Sequence, residues 1–236
     1  MEKKMHKKGN SSLQVSYVLL LTCCFPISIL HLYWEVLNAA SDYSEEGSLI
    51  SPYTVFRTLY IAAICVLGIA NIIQSFQSCR RKETTRCINR MLVLKYGLVI
   101  FFMINFILIA SIFLFGGLMT MVISRGTALI ALPLLLPWLF FIISVLAFVT
   151  WLLLLPGAFY GVQVIRLSYS EKKLGLGAAV LHGLLQFCFL ADVLDAMYLS
   201  VRKWGIGKKS AVLIGILYLG TAAAAIWMAV SIYRMF

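Results

Sequence analysis

YTVFRTLYIAAICVLGIANIIQSFQSCRRKETTRCINR, residues 53–90, sets the reading of the whole chain. From Tyr53 to Cys79 the run carries one charge, Arg57. The next stretch then holds Arg80, Arg81, Lys82, Arg86 and Arg90 against Glu83 alone. An apolar run of that length crosses the roughly 30 Å hydrocarbon core of a bilayer as a helix. A basic cluster directly after it marks a cytoplasmic face, where Lys and Arg gather.

The rest of the chain repeats this pattern. Of 236 residues, 62% are hydrophobic and only 12% charged, and the mean hydropathy is +0.95. An average soluble chain is about a quarter charged. Too few charges remain to clothe a soluble exterior. Soluble enzymes, disordered tails and secreted disulfide scaffolds are excluded on that ground.

The net charge is +11, and the basic residues sit in patches between apolar runs: Lys3, Lys4, Lys7 and Lys8, then the 80–90 cluster, then Arg166, Lys172 and Lys173, then Arg202, Lys203, Lys208 and Lys209. No basic and aromatic motif stands clear of the apolar segments, so nucleic acid is not an expected partner. The expected partners are the bilayer and anionic lipid headgroups at the basic loops. The six cysteines fall in apolar runs or beside the basic loop and read as reduced thiols. No zinc spacing with partner histidines is present, and no cofactor or metal is expected.

The predicted fold class is all-α, a polytopic transmembrane helical bundle. A basic cytoplasmic tail, 1–12, precedes one transmembrane domain, 13–236. Its spans lie near 13–34, 53–79, 91–115, 138–163, 174–198 and 210–233, about six in all. The loop from Asn38 to Pro52 carries Asp42, Glu45 and Glu46 with no Lys or Arg, which suits the outer side. The expected location is therefore the plasma membrane, with the N-terminus cytoplasmic. Residues 118–136, with Arg125, Gly126 and Pro133, read as apolar but broken, giving a short outer helix or a re-entrant segment before the fourth span.

The fifth segment leaves two topologies open. With six spans, fourteen Lys and Arg lie inside and six outside; if the fifth segment dips in and returns, the count becomes seventeen against three. Charge favours the re-entrant form, in which Asp192 lies inside, nearer Lys95. Continuous hydrophobicity favours the crossing, and six spans is the working expectation.

Polar groups at membrane depth need a partner or a purpose. On the second helix Arg57, Ile61, Ile64, Gly68, Asn71 and Ser75 share one stripe, which reads either as the wall of a polar cavity or as an interhelical hydrogen-bond seam. His182 and Gln186 share a face of the fifth segment, and Asp192 is expected as counter-ion to Arg57. Arg57, Asn71, His182, Gln186 and Asp192 thus form the candidate site. His31, Glu35 and Asp195 are secondary candidates, placed at the same outer level in the six-span form. Asp192 and Asp195 are rotated about 100° or more from the His182–Gln186 face on a continuous helix, so no shared neighbour is expected.

P-loop, HExxH and GxSxG motifs are absent, and no enzyme activity is predicted. The expected function is that of a small permease-like transporter or the membrane subunit of a larger assembly, driven by an ion gradient or a partner ATPase. A structural or regulatory membrane protein without a pathway is the alternative, and an intramembrane enzyme a more remote one.

Overall fold

The computed structural model describes residues 11–40, 52–188 and 191–233, and every described element is helical. Most of the basic tail and the acidic loop, with Asp42, Glu45 and Glu46, lie outside the described residues. The helices are α1 (Ser12–Ala40), α2 (Pro52–Arg80), α3 (Thr84–Ile123), α4 (Ala128–Ser170), α5 (Leu176–Leu185), α6 (Ala191–Tyr198) and α7 (Lys208–Tyr233). A π-helical turn, Leu199–Lys203, continues α6. Among the described residues, four segments are long and apolar enough to cross a membrane: Ser12–His31, Thr54–Arg80, Thr84–Ile104 and Ala147–Ser170.

Helices α1 to α4 pack around a core that includes Ile88, Met91, Leu94, Leu98, Tyr160 and Val164. Close approach relies on missing side chains. A Cβ on Gly97 of α3 would stand 2.5 Å from Val18 Cγ1 of α1, so only glycine lets these helices meet. Gly68 of α2 leaves room for the Tyr17 ring, whose hydroxyl donates to the Leu153 carbonyl at 3.2 Å. Tyr60 OH donates likewise to the Leu20 carbonyl. With no hydrophobic drive between helices in lipid, such fits and bonds carry association.

The expected break before the fourth span is not formed. Helix α3 continues to Ile123, the chain turns through Arg125 (φ 47°) and Gly126 (φ 84°), and α4 runs unbroken through Pro133 and Pro137. Each proline ring removes one helix hydrogen bond. In apolar surroundings, leaving the helix altogether would strand more backbone groups than that.

The fifth segment departs further. The single helix expected over 174–198 is replaced by α5, a break, and α6 folded back beside it. Past the π-helical turn, Trp204 Nε1 donates to Ser168 Oγ at 2.8 Å, near the C-terminal end of α4. Lys173 Nζ sits 3.1 Å above the Trp204 ring. Gly207 (φ 76°) lies against Leu92, near the start of α3. Residues 174–204 therefore leave one end of α4 and return to the same end, where α7 begins.

Candidate functional site

The α5–α6 hairpin buries a charged cluster against α3 and α4. Lys95, on α3, is a lone lysine in an apolar run. Its ammonium reaches Asp192 Oδ2 at 2.9 Å, with side chains 1% and 3% exposed, and lies 3.3 Å from the Asp192 carbonyl. The aliphatic stem of Lys95 lies beside Gly157 of α4. Neither charge could stand alone at this depth, since an isolated buried ion costs several kcal/mol.

One turn further on, Asp195 is 5% exposed and held by two groups of the opposing arm. His182 Nδ1 bonds Asp195 Oδ1, and Gln186 Nε2 donates to Asp195 Oδ2. The imidazole also stacks on Tyr198, with centroids 5.4 Å apart and planes at 17°. The His182 side chain keeps 15% exposure, so this side of the cluster reaches the surface while Lys95 does not.

Gln186 is fully buried because Gly161 leaves it space; a Cβ there would fall 2.0 Å from its Oε1. That oxygen has no partner among the described residues. Arranged this way, the cluster sets a hydrogen-bonded imidazole–carboxylate pair one turn from a buried ion pair. Among the described residues no group of three or more His, Cys, Asp or Glu is placed to hold a metal ion.

A second polar layer ties the bundle together. Gln14 Nε2 of α1 faces Asn71 Oδ1 at 2.8 Å, Gln74 Oε1 at 2.6 Å and Tyr160 OH at 3.0 Å. Tyr160 OH in turn donates to Gln74 Oε1 at 3.1 Å, and Arg90 donates to Ser78 Oγ at 2.8 Å. Gln14, Asn71 and Ser75 are fully buried, so the C-terminal half of the α2 stripe faces protein, with Asn71 in an interhelical hydrogen-bond seam and Gln14 Oε1 without a partner among the described residues.

The candidate residues therefore divide. His182, Gln186, Asp192 and Asp195 come together; Asn71 belongs to the seam. Arg57 is exposed, fourteen residues or about 21 Å along α2 from Asn71. The expected Arg57–Asp192 pair is not formed: Asp192 is instead buried against Lys95 of α3. His31 is half-buried on α1, and the side chain of Glu35 lies outside those described. Of the residues expected at one outer level, His31, Glu35, Asp192 and Asp195, the two aspartates are held by Lys95, His182 and Gln186.

The expected separation of Asp195 from His182 and Gln186 also fails. The helix breaks between Leu185 and Ala191, so angles counted along one continuous helix do not apply. Sequence reasoning named Lys95 only as the group nearer Asp192 in the re-entrant form, and left Gln14, Tyr160 and the roles of Gly157 and Gly161 outside the site. A lysine flanked by Val93, Leu94 and Tyr96 was the signal for giving it a place there.

Residues 9–205 match a family of unknown function, DUF6652, and the chain belongs to that family. The matched region covers both polar layers and the whole hairpin and ends before α7. No curated protein and no solved structure matches the chain.

Proposed function

We propose that the chain is a small proton-coupled, permease-like protein of the plasma membrane, working without catalysis. The observation that carries this is the buried Lys95–Asp192 pair joined to His182, Asp195 and Gln186 on a broken helical hairpin. Intramembrane ionisable groups that face protein rather than lipid mark ion and substrate pathways. Broken helices are where transporters build such sites. In this reading a proton taken up by the His182–Asp195 pair alters the hairpin's grip on α4 while Lys95 stays neutralised.

The reading uses five full crossings, α1 to α4 and α7, with α5–α6 re-entrant from the cytoplasmic side. This is the topology that places seventeen basic residues inside and three outside. To test it, Ile206→Cys is introduced with the native cysteines replaced by serine. A membrane-impermeant maleimide is expected to label it only after permeabilisation; labelling in intact cells overturns the re-entrant form.

Activity is read in proteoliposomes that trap a pH-sensitive dye. Under an imposed gradient, with a panel of small solutes outside, wild-type protein is expected to move protons faster than protein-free vesicles. Asp195→Asn is expected to fall to the protein-free rate. Wild-type vesicles no faster than empty ones across the panel overturn the proposal.

One observation favours a second reading, a structural or regulatory membrane component or a subunit of a larger assembly with an ATPase partner. The Gln14–Asn71–Gln74–Tyr160 seam ties α1, α2 and α4 together by side-chain hydrogen bonds, as an architectural bundle requires. Co-purification of a stoichiometric partner from mild detergent, with inactive proteoliposomes, would support it.

A further inference from the structure

Helix α5 has no buried residue, although its opposite face carries the candidate site. Leu176, Val180 and Leu184 recur every four residues along its outer side and are exposed, so a continuous apolar stripe faces outward. Lys172 precedes that stripe by four residues, and the basic π-helical turn packs beside α5 through Leu199, Leu174 and Ala179. Lys172 occupies a left-handed turn (φ 57°) and is exposed, as is Arg202 of the π-helical turn. Lys203 lies 5.9 Å over the Tyr198 ring.

The nearby carboxylate, Glu171, is taken by Lys173 at 3.1 Å. Among the described residues, Lys172, Arg202 and Lys203 have no acidic partner within 4 Å. Trp204, anchored by Ser168, supplies the amphipathic ring typical of the headgroup level.

We infer that this junction of α4, α5 and the π-helical turn binds an anionic phospholipid, its phosphate between Lys172 and Arg202 and an acyl chain along the α5 stripe. Charge complementarity selects the headgroup, because unpaired cations near a membrane surface attract anionic lipid. The adjoining stripe selects a lipid over a free anion, since inorganic phosphate gains nothing from Leu176, Val180 and Leu184. Tyr198 connects the two regions, with Lys203 above its ring and His182 stacked against it. The inference needs a membrane but not permease activity.

The test is native mass spectrometry of the full chain in neutral detergent with phosphatidylglycerol or phosphatidylcholine. Wild-type protein is expected to retain phosphatidylglycerol preferentially. Lys172→Gln with Arg202→Gln is expected to weaken retention at least about tenfold. The control pair Arg80→Gln with Arg81→Gln, in the α2–α3 turn, is expected to keep it. Should the double variant fail to fold, Lys172→Gln alone reads the same loss at an exposed turn. Equal loss in the control pair, equal retention of phosphatidylcholine, or displacement by inorganic phosphate overturns the inference.

Discussion

Lys95→Met is expected to destabilise the folded protein by about 3–5 kcal/mol, because Asp192 is left buried without its cation. Methionine matches the stem beside Gly157, so little of the loss comes from packing. Replacing both partners, Lys95→Met with Asp192→Leu, is expected to restore most of the stability, since two apolar groups of similar size leave no charge unpaired. Denaturant unfolding in detergent micelles, followed by helical signal, measures both. A single variant as stable as wild type would show that the pair is not closed off from water as the side-chain burial indicates. Recovery in the double variant without recovery of proton movement would separate the pair's architectural part from its proposed functional one.

Gly161→Ala is expected to cost about 1–3 kcal/mol through a different route. The new methyl takes the place of Gln186 Oε1, so the amide must swing out. Asp195 then loses one of its two partners, and a buried acceptor left unmade costs on that scale. Shortening the intruding side chain, Gly161→Ala with Gln186→Ala, relieves the collision but still leaves Asp195 with His182 alone. The double variant should thus recover only part of the loss. The same unfolding measurement applies, and an alanine at 161 with no effect would mean that Gln186 does not lie on α4.

The helical class was legible because it rests on composition and length, which no tertiary contact can reverse. Apolar runs such as 53–79 had nowhere to go but a helix in an apolar medium. The seam was half legible: the α2 stripe named Asn71, but nothing local named Gln14 as the group it meets, or Tyr160 and Gln74 beside it. The site itself was less legible. His182 and Gln186 stood out as polar groups on a small-residue helix, and Asp192 and Asp195 as acids beside it.

How these four come together depends on a break between Leu185 and Ala191 that no proline or glycine announces in the sequence. Pro133 and Pro137 announce a break that α4 does not make. In both places the deciding term is which backbone groups the neighbouring helices can satisfy, a quantity that local propensity does not contain. The Arg57 pairing failed for a related reason. It assumed a helix continuous through Asp192, and the fold-back of α6 onto α5 hands that carboxylate to Lys95 instead.

Helices α3 and α4, at 40 and 43 residues, are about 60 and 64 Å long, against about 44 Å for α1 and α2. In the proposed arrangement the mean tilt of roughly 20° shortens them by only about 4 Å. Their outer tips overshoot the oil on any ordinary membrane. Bilayers differ in thickness by only a few Å, so in the proposed arrangement lipid stretching cannot cover tips standing about 25–30 Å clear of the oil, and these ends have to be covered by protein or stand in water.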